Sequence, residues 1–313
     1  ARMVQRSAGL AGVEQRGEAD RQLLRREAWQ DRLSNKLLLL LAIVEDADAP
    51  WVSRRQAAET LGRLRTPAAS AVPVLLRLVD EPGNDDAEVA PRVWALKALA
   101  LFGPVAKDAA PRLAKLVGDS SEPLVDRQRA LEALAQIGTQ HAVVLPTILR
   151  LLRVPKQDDV RELNDAQALR ELAVESFTLL GPAGAPAIPA LLRLTREPSD
   201  ILRMKTAQAL GAMGGRGEIA VPTLIETLLF DDSPLVRDAA GEALSKIGGE
   251  AVPALTQLLN DPEEGVRRRS AEALGRMGAA ARPALDALTD RLEDDSALVR
   301  IAVAEAIWKA SSD

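Results

Sequence analysis

An arginine stands eleven residues before the close of each structural period in this chain, and that spacing recurs eight times. The register comes from segments that end in an apolar residue plus glycine: Phe102-Gly103, Ile137-Gly138, Leu180-Gly181, Met213-Gly214, Ile247-Gly248 and Met277-Gly278. Counting back eleven gives Arg92, Arg127, Arg170, Arg203, Arg237 and Arg267. Arg65 and Ser311 replace the glycine in the first and last periods, and the same count gives Arg54 and Arg300. The periods run 38, 35, 43, 33, 34, 30 and 33 residues. Self-similarity at this length marks a stack of like units, each too small to bury a core alone.

Every unit has the same grammar. A first apolar stretch opens as Pro-x-aliphatic, in Pro73/Leu75, Pro111/Leu113, Pro146/Ile148, Pro189/Leu191, Pro222/Leu224, Pro253/Leu255 and Pro283/Leu285. Proline fits a helix's first turn, where its missing N–H lacks a partner anyway. An acidic turn follows, then a stretch with apolar residues at helical spacing, such as Val266, Ala271, Leu274 and Met277. The closing glycine suits a left-handed residue just past a helix end. Each unit therefore reads as a helical hairpin. Ala57, Ala130, Ala240 and Ala271 mark where second helices must lie close to their neighbours.

The segments "LVDRQRALEALAQIG" at 124–138, "LVRDAAGEALSKIG" at 235–248 and "GVRRRSAEALGRMG" at 265–278 carry a resemblance. The chain resembles HEAT-repeat proteins, of the subgroup first noticed in phycobilisome bilin lyases, over about residues 33–311. The resemblance implies an all-α, right-handed α-solenoid of about eight helical hairpins, with second helices along the concave side. The expected units are 33–65, 66–103, 104–138, 139–181, 182–214, 215–248, 249–278 and 279–313, behind an N-terminal arm and capping helix at 1–32. In that family the second-helix arginine pairs with an acid of the preceding turn. Asp48, Asp86, Asp165, Asp200, Asp232, Asp261 and Asp295 are the matching acids, with Asp119 and Glu122 both open in the third unit. Arg54, Arg92, Arg127, Arg170, Arg203, Arg237, Arg267 and Arg300 then form an internal ladder, favoured over a row that grips a polyanion.

Composition narrows the function classes. Beyond the arm the repeats hold 33 basic and 40 acidic residues, a balance that disfavours binding nucleic acid through phosphate neutralisation. With four Trp, three Phe and no Tyr there is little to stack bases on. No cysteine exists for disulfides, thiolate metal sites or thiol catalysis. The longest uninterrupted apolar run, Leu37 to Val44, is too short to span a bilayer. Ala1 is not an initiator Met, so the compartment stays open between cytoplasm, export and a membrane tether.

Catalytic machinery is not legible. His141 is the single histidine, which excludes a multi-histidine metal site and leaves one possible base for a Ser-His-Asp arrangement. The acidic run at 80–88 lacks the EF-hand order. No catalytic residue, cofactor or metal is expected.

Three features depart from the repeat background. Five residues after each ladder arginine stand Glu59, Lys97, Glu132, Glu175, Gln208, Glu242, Glu272 and Glu305, read either as a groove-lining row or as local helix pairing. Trp94, Val93, Leu172 and Met204, with Leu101 and Leu179 nearby, put apolar side chains where a polar face is expected. Long connections at 80–90 and 153–167 fall on one edge. Trp94, Val93, Leu172, Met204, Glu132 and Glu175 are therefore the expected partner site, for a protein segment with basic flanks. Trp308 is expected to cover the open end of the last unit. The favoured function is a noncatalytic protein-interaction scaffold. A bilin lyase or isomerase subunit is the alternative that the resemblance implies, and HEAT-like DNA-alkylation repair a weaker one.

Overall fold

The computed structural model describes residues 35–81, 90–138, 142–153 and 160–312. The arm at 1–32, the helix expected within it, His141 and Asp86 lie outside the described residues. Contacts divide the chain into two compact units, Ala1–Leu101 and Phe102–Asp313. Among the described residues there is no strand.

The first unit holds helices α1 (35–45), α2 (Trp51–Leu64), α3 (Val72–Val79) and most of α4 (Pro91–Phe102). Val44, Leu61, Leu75, Trp94, Leu96 and Leu99 fill its core. Gly62 lets the backbone of α2 approach α4 closely, because a Cβ there would meet Ala98 O at 2.7 Å.

The second unit is built from α5 (Ala110–Gly118), α6 (Leu124–Ile137), α7 (Val144–Leu151), α8 (Val160–Leu180), α9 (Ile188–Leu194) and α10 (Asp200–Ala212). It continues through α11 (Val221–Phe230), α12 (Pro234–Ile247), α13 (Val252–Leu258), α14 (Glu264–Met277), α15 (Leu285–Asp290) and α16 (Ala297–Ser311). Consecutive pairs form hairpins, and the second helices α6, α8, α10, α12, α14 and α16 pack side by side in chain order. Stacking of neighbours, not any one hairpin, creates the buried surface.

Local chemistry explains the boundaries. Prolines occupy the first two positions of α3, α5, α9, α11 and α13. Second helices close at Gly103, Gly138, Gly181, Gly214, Gly248 and Gly278, all with φ between 54° and 88°. Where ψ is recorded, at −164°, −147° and −131° for Gly138, Gly248 and Gly278, it lies far from the left-handed helical region expected from sequence. That corner of conformational space belongs almost wholly to glycine. After Gly103, Gly181, Gly214, Gly248 and Gly278 the chain enters the next hairpin through a short 3₁₀ turn, such as Gly181–Ala187 or Gly214–Ala220.

The long connection expected at 153–167 is in large part helix. α8 begins at Val160 and runs 21 residues, against 14 in α12 and α14. Leu163–Leu194, which takes in most of α8 and all of α9, is long and apolar enough by length and composition to cross a bilayer. Gly181 reverses the chain inside that stretch, and Leu169, Val174 and Phe177 are wholly buried in the second unit.

Candidate functional site

The ladder arginines reach two hairpins at once. Arg203 Nη1 donates to Glu197 O (2.9 Å) and Pro198 O (3.0 Å) in its own preceding turn. Its Nε and Nη2 donate to Asp231 Oδ2 (2.8 Å) and Oδ1 (2.9 Å) in the turn of the next hairpin. Arg267 repeats this arrangement on Asp261 O, Pro262 O and the carboxylate of Asp294. Arg170 donates to Leu152 O (3.2 Å) and to Glu197 Oε1. Arg237 and Arg300 likewise donate to carbonyls of their own preceding turns, and Arg127 donates to Val117 O near the end of α5. In the first unit Arg54 Nε donates to Val44 O, and its guanidinium lies over the Trp94 ring at 5.4 Å. Arg92 is buried in the core of α4.

The paired carboxylates differ from those the resemblance implied. Where a carboxylate pairs, at Arg170, Arg203 and Arg267, it comes from the following hairpin, while the carbonyls come from the helix end or turn in front of the arginine. Asp232 and Asp295 contribute only backbone oxygens to Arg237 and Arg300. Asp200 and Asp261 accept from Ile201 N and Glu263 N, and Asp119 accepts from Ser121. Asp48 is a donor, through its N–H, to Asp46 Oδ1. Asp165 lies within α8 rather than in a turn. Glu197, Asp231 and Asp294 pair with Arg170, Arg203 and Arg267, and sequence reasoning missed them. Their signal was their spacing: Glu197, Asp231, Asp261 and Asp294 each stand six residues before a ladder arginine.

The electrostatics follow. The hydrogen bonds from Arg267 hold the Asp294 carboxyl below its ordinary range, against the upward push of burial. Burial is the largest influence on Asp231, and it raises the pKa; the bonds from Arg203 and Ser233 N outweigh it, so that carboxyl is also lowered.

The expected partner site does not form as written. Trp94 is 1% exposed and Val93 is buried, because α4 turns both into the core of the first unit. Leu172 and Met204 are half-buried on α8 and α10, Glu132 is half-buried and Glu175 is exposed. The glutamate row is largely neutralised by neighbours. Glu132 pairs with Arg129, Glu175 with Lys205, Glu242 with Lys246, Glu272 with Arg268 and Glu305 with Lys309. Glu59 pairs with Arg63, while Arg55 lies over the Trp51 ring. Trp308 does not cover the end of the last hairpin: it is 69% exposed.

A different apolar row is present. Two residues before the ladder arginines, Val125, Ile201, Leu235 and Leu298 are all exposed at the starts of α6, α10, α12 and α16. Ala168 and Gly265 interrupt the row on α8 and α14. Exposed Phe230 ends α11 across a three-residue turn from Pro234, the neighbour of Leu235. The second unit also holds an apolar cavity of about 480 Å³, lined by Leu149, Leu152, Arg153, Arg193, Leu194 and the Arg170–Glu197 pair among others.

Among the described residues no group of three or more His, Asp or Glu side chains could hold a metal. A profile described as HEAT repeats matches residues 163–245 and 221–308. The chain carries HEAT repeats over these residues. No curated protein matches it. Several solved structures are similar to it over most of its length. A mutant of Kap121p is 17% identical, with a TM-score of 0.49 over 90% of this chain and 34% of Kap121p. The CpcE–CpcF complex of phycocyanin lyase from Nostoc sp. PCC7120 is 20% identical, with a TM-score of 0.45, covering 88% of this chain and 94% of that one. Human deoxyhypusine hydroxylase is 22% identical, with a TM-score of 0.38, covering 89% and 96%. This HEAT-repeat chain thus spans about a third of the length of Kap121p.

Proposed function

We propose that this HEAT-repeat chain is a noncatalytic scaffold that binds an extended or helical segment of another protein along its second helices. The observation that carries the reading is the exposed set Ile201, Phe230 and Leu235, at one edge of two adjacent hairpins. Helices packed side by side lie about 8–10 Å apart, so homologous positions on α10 and α12 offer footholds at that spacing. A partner with aliphatic or aromatic side chains spaced to match gains burial from both. The scaffold is held in shape before binding by the arginine bridges between turns, which lowers the cost of ordering it. Glu132 stands on α6, Leu172 and Glu175 on α8, and Met204 on α10. The glutamates contribute little net attraction, since each already pairs with a cation.

The test is a capture experiment from native extract with the parent and an Ile201→Glu, Leu235→Glu variant, both checked by circular dichroism. A specific protein retained by the parent and lost by the variant is expected. Equal capture by both, or transfer of a bilin to an acceptor protein by the chain alone, overturns the reading.

A further inference from the structure

Arg268, Arg269 and Arg276 stand on α14 outside the ladder, and they crowd the groove between α12 and α14. With the ladder residue Arg237 and with Asp238 and Glu272 they line an open cavity of about 170 Å³. Among the lining residues four guanidinium groups thus face two carboxylates, an excess of two positive charges, with Glu263 just outside the lining, 4.0 Å from Arg269, in a chain whose net charge is −5.

Both carboxylates are already engaged. Arg276 Nη2 donates to Asp238 Oδ1 (2.8 Å) and Arg268 Nη1 donates to Glu272 Oε1 (2.6 Å). The other two arginines have donors to spare. Arg237 directs Nη1 alone at the carbonyls of Asp231 and Asp232. Among the described residues no carboxylate pairs with it, in contrast to Arg170, Arg203 and Arg267. Among the described residues Arg269 reaches only Glu263, at 4.0 Å, and its buried Nε has no acceptor. A buried donor left without an acceptor is unfavourable.

The backbone of α12 is shaped to this cluster. A Cβ on Gly241 would run into the Arg276 guanidinium, so the bare glycine is what lets that side chain cross from α14 to Asp238. Asp238 and Glu272 then act as positioning residues that hold two forks in place around the other two.

We propose that this cavity binds a phosphate monoester group, with Arg269 and Arg237 donating directly to its oxygens. Charge decides the ligand class. A phosphate monoester carries about −1.5 to −2 near neutral pH and matches the local excess, whereas a single carboxylate supplies half of it. Its oxygens also accept the paired N–H groups of a guanidinium fork. The group comes either from a phosphorylated side chain of a docked polypeptide or from a small phosphorylated compound. Pro234 also lines the cavity and adjoins exposed Leu235, which favours the polypeptide. The site stands independently of the scaffold reading.

The test uses the full chain at fixed ionic strength, titrated with inorganic phosphate, a phosphoserine peptide and glutamate while heat release and melting temperature are followed. Saturable binding of phosphate is expected, with glutamate about tenfold weaker or worse. Arg269→Gln is expected to lose affinity by about tenfold while its unliganded melting temperature does not fall, because a buried unpaired donor is removed. Gly241→Ala, which displaces the Arg276 head, is expected to weaken binding without loss of helix content. A phosphopeptide that outcompetes inorganic phosphate assigns the polypeptide source, and equal affinities assign the small compound. No saturable response to phosphate, an equal response to glutamate, or an unchanged affinity in Arg269→Gln overturns the proposal.

Discussion

Arg267 grips the carboxylate of Asp294 with two parallel hydrogen bonds, Nε to Oδ2 at 2.8 Å and Nη2 to Oδ1 at 2.9 Å. The bond pair crosses from one hairpin to the next, while Nη1 of the same residue holds two carbonyls of its own turn. Asp294 Oδ1 also accepts from Ser296 N, and Ser296 Oγ caps α16 by accepting from Val299 N. One guanidinium therefore links the turn of the seventh hairpin to the start of the last helix. Removing it strands a carboxylate that is 2% exposed. Arg267→Ala is expected to cost about 2–4 kcal/mol, since a buried partner loses its charge-assisted bonds. Arg267→Lys should recover only a part, because an ammonium cannot span both oxygens and the carbonyls. Urea denaturation of the three proteins measures this. A loss below that of an ordinary surface substitution would remove Arg267 from the stacking interface.

The same pair predicts the response to acid. Asp294 and Asp231 have folded-state pKa values below the ordinary one, so their contribution to stability is present above the unfolded value of about 3.9. It fades as pH falls through the lower folded values, where both states carry the proton. Asp294→Asn should therefore be much less stable than the parent at neutral pH, and the gap should shrink as pH drops below about 4. Melting temperatures of parent and variant across that window decide the matter. A gap that stays constant down to full protonation would show that charge plays no part in it.

The hairpins were legible because their signals are local and repeated. Proline entry, apolar spacing and terminal glycine each occur several times, and a period survives noise in any one copy. The arginine row was legible too, but not its partners. A family rule pointed within the hairpin, whereas the carboxylate comes from the following one, and only the six-residue offset of Glu197, Asp231 and Asp294 hinted at it. The partner site failed for a different reason. Trp94 departs from the repeat consensus, and departure was read as exposure. The large ring instead fills the core of the first unit beneath the Arg54 guanidinium. Ile201 and Leu235 are exposed and went unnoticed, since aliphatic residues near a helix start look like ordinary core. The cavity at Arg269 needed two helices in contact before four arginines became neighbours.

Arg65 carries a backbone conformation that its side chain resists. It occupies the position of the terminal glycines, with φ 56° and ψ −120°, and it is the one described non-glycine residue with positive φ. Holding a residue with a Cβ there costs on the order of 1–3 kcal/mol. Glycine relieves that strain but gives the unfolded chain more freedom, an offset of about 0.5–1 kcal/mol. Arg65→Gly is therefore expected to stabilise the protein by about 1 kcal/mol. Chemical denaturation of the pair tests it, and a destabilised variant would mean that Arg65 makes contacts worth more than its strain.

Trp308 sits where the other seven units carry Gly, Ala, Ser or Thr. Eight residues after their ladder arginines stand Gly211 and Gly275, each pressed against the next second helix. A Cβ on Gly211 would meet Ala243 Cα at 2.5 Å, and one on Gly275 would meet Ala306 Cα at 3.2 Å. Trp308 holds the same position on α16, and its ring is 69% exposed on a face that also shows Leu298 and Ile301. A further helix could not pack on α16 as α12 packs on α10 without displacing the indole. The ring therefore contributes little to holding the hairpin together, and Trp308→Ala is expected to change stability by less than about 0.5 kcal/mol. A variant with Trp308 as its only tryptophan should be quenched by iodide nearly as readily as the free amino acid. Weak quenching in a monomer, together with a large loss of stability in Trp308→Ala, would mean that the ring folds down over the last hairpin after all.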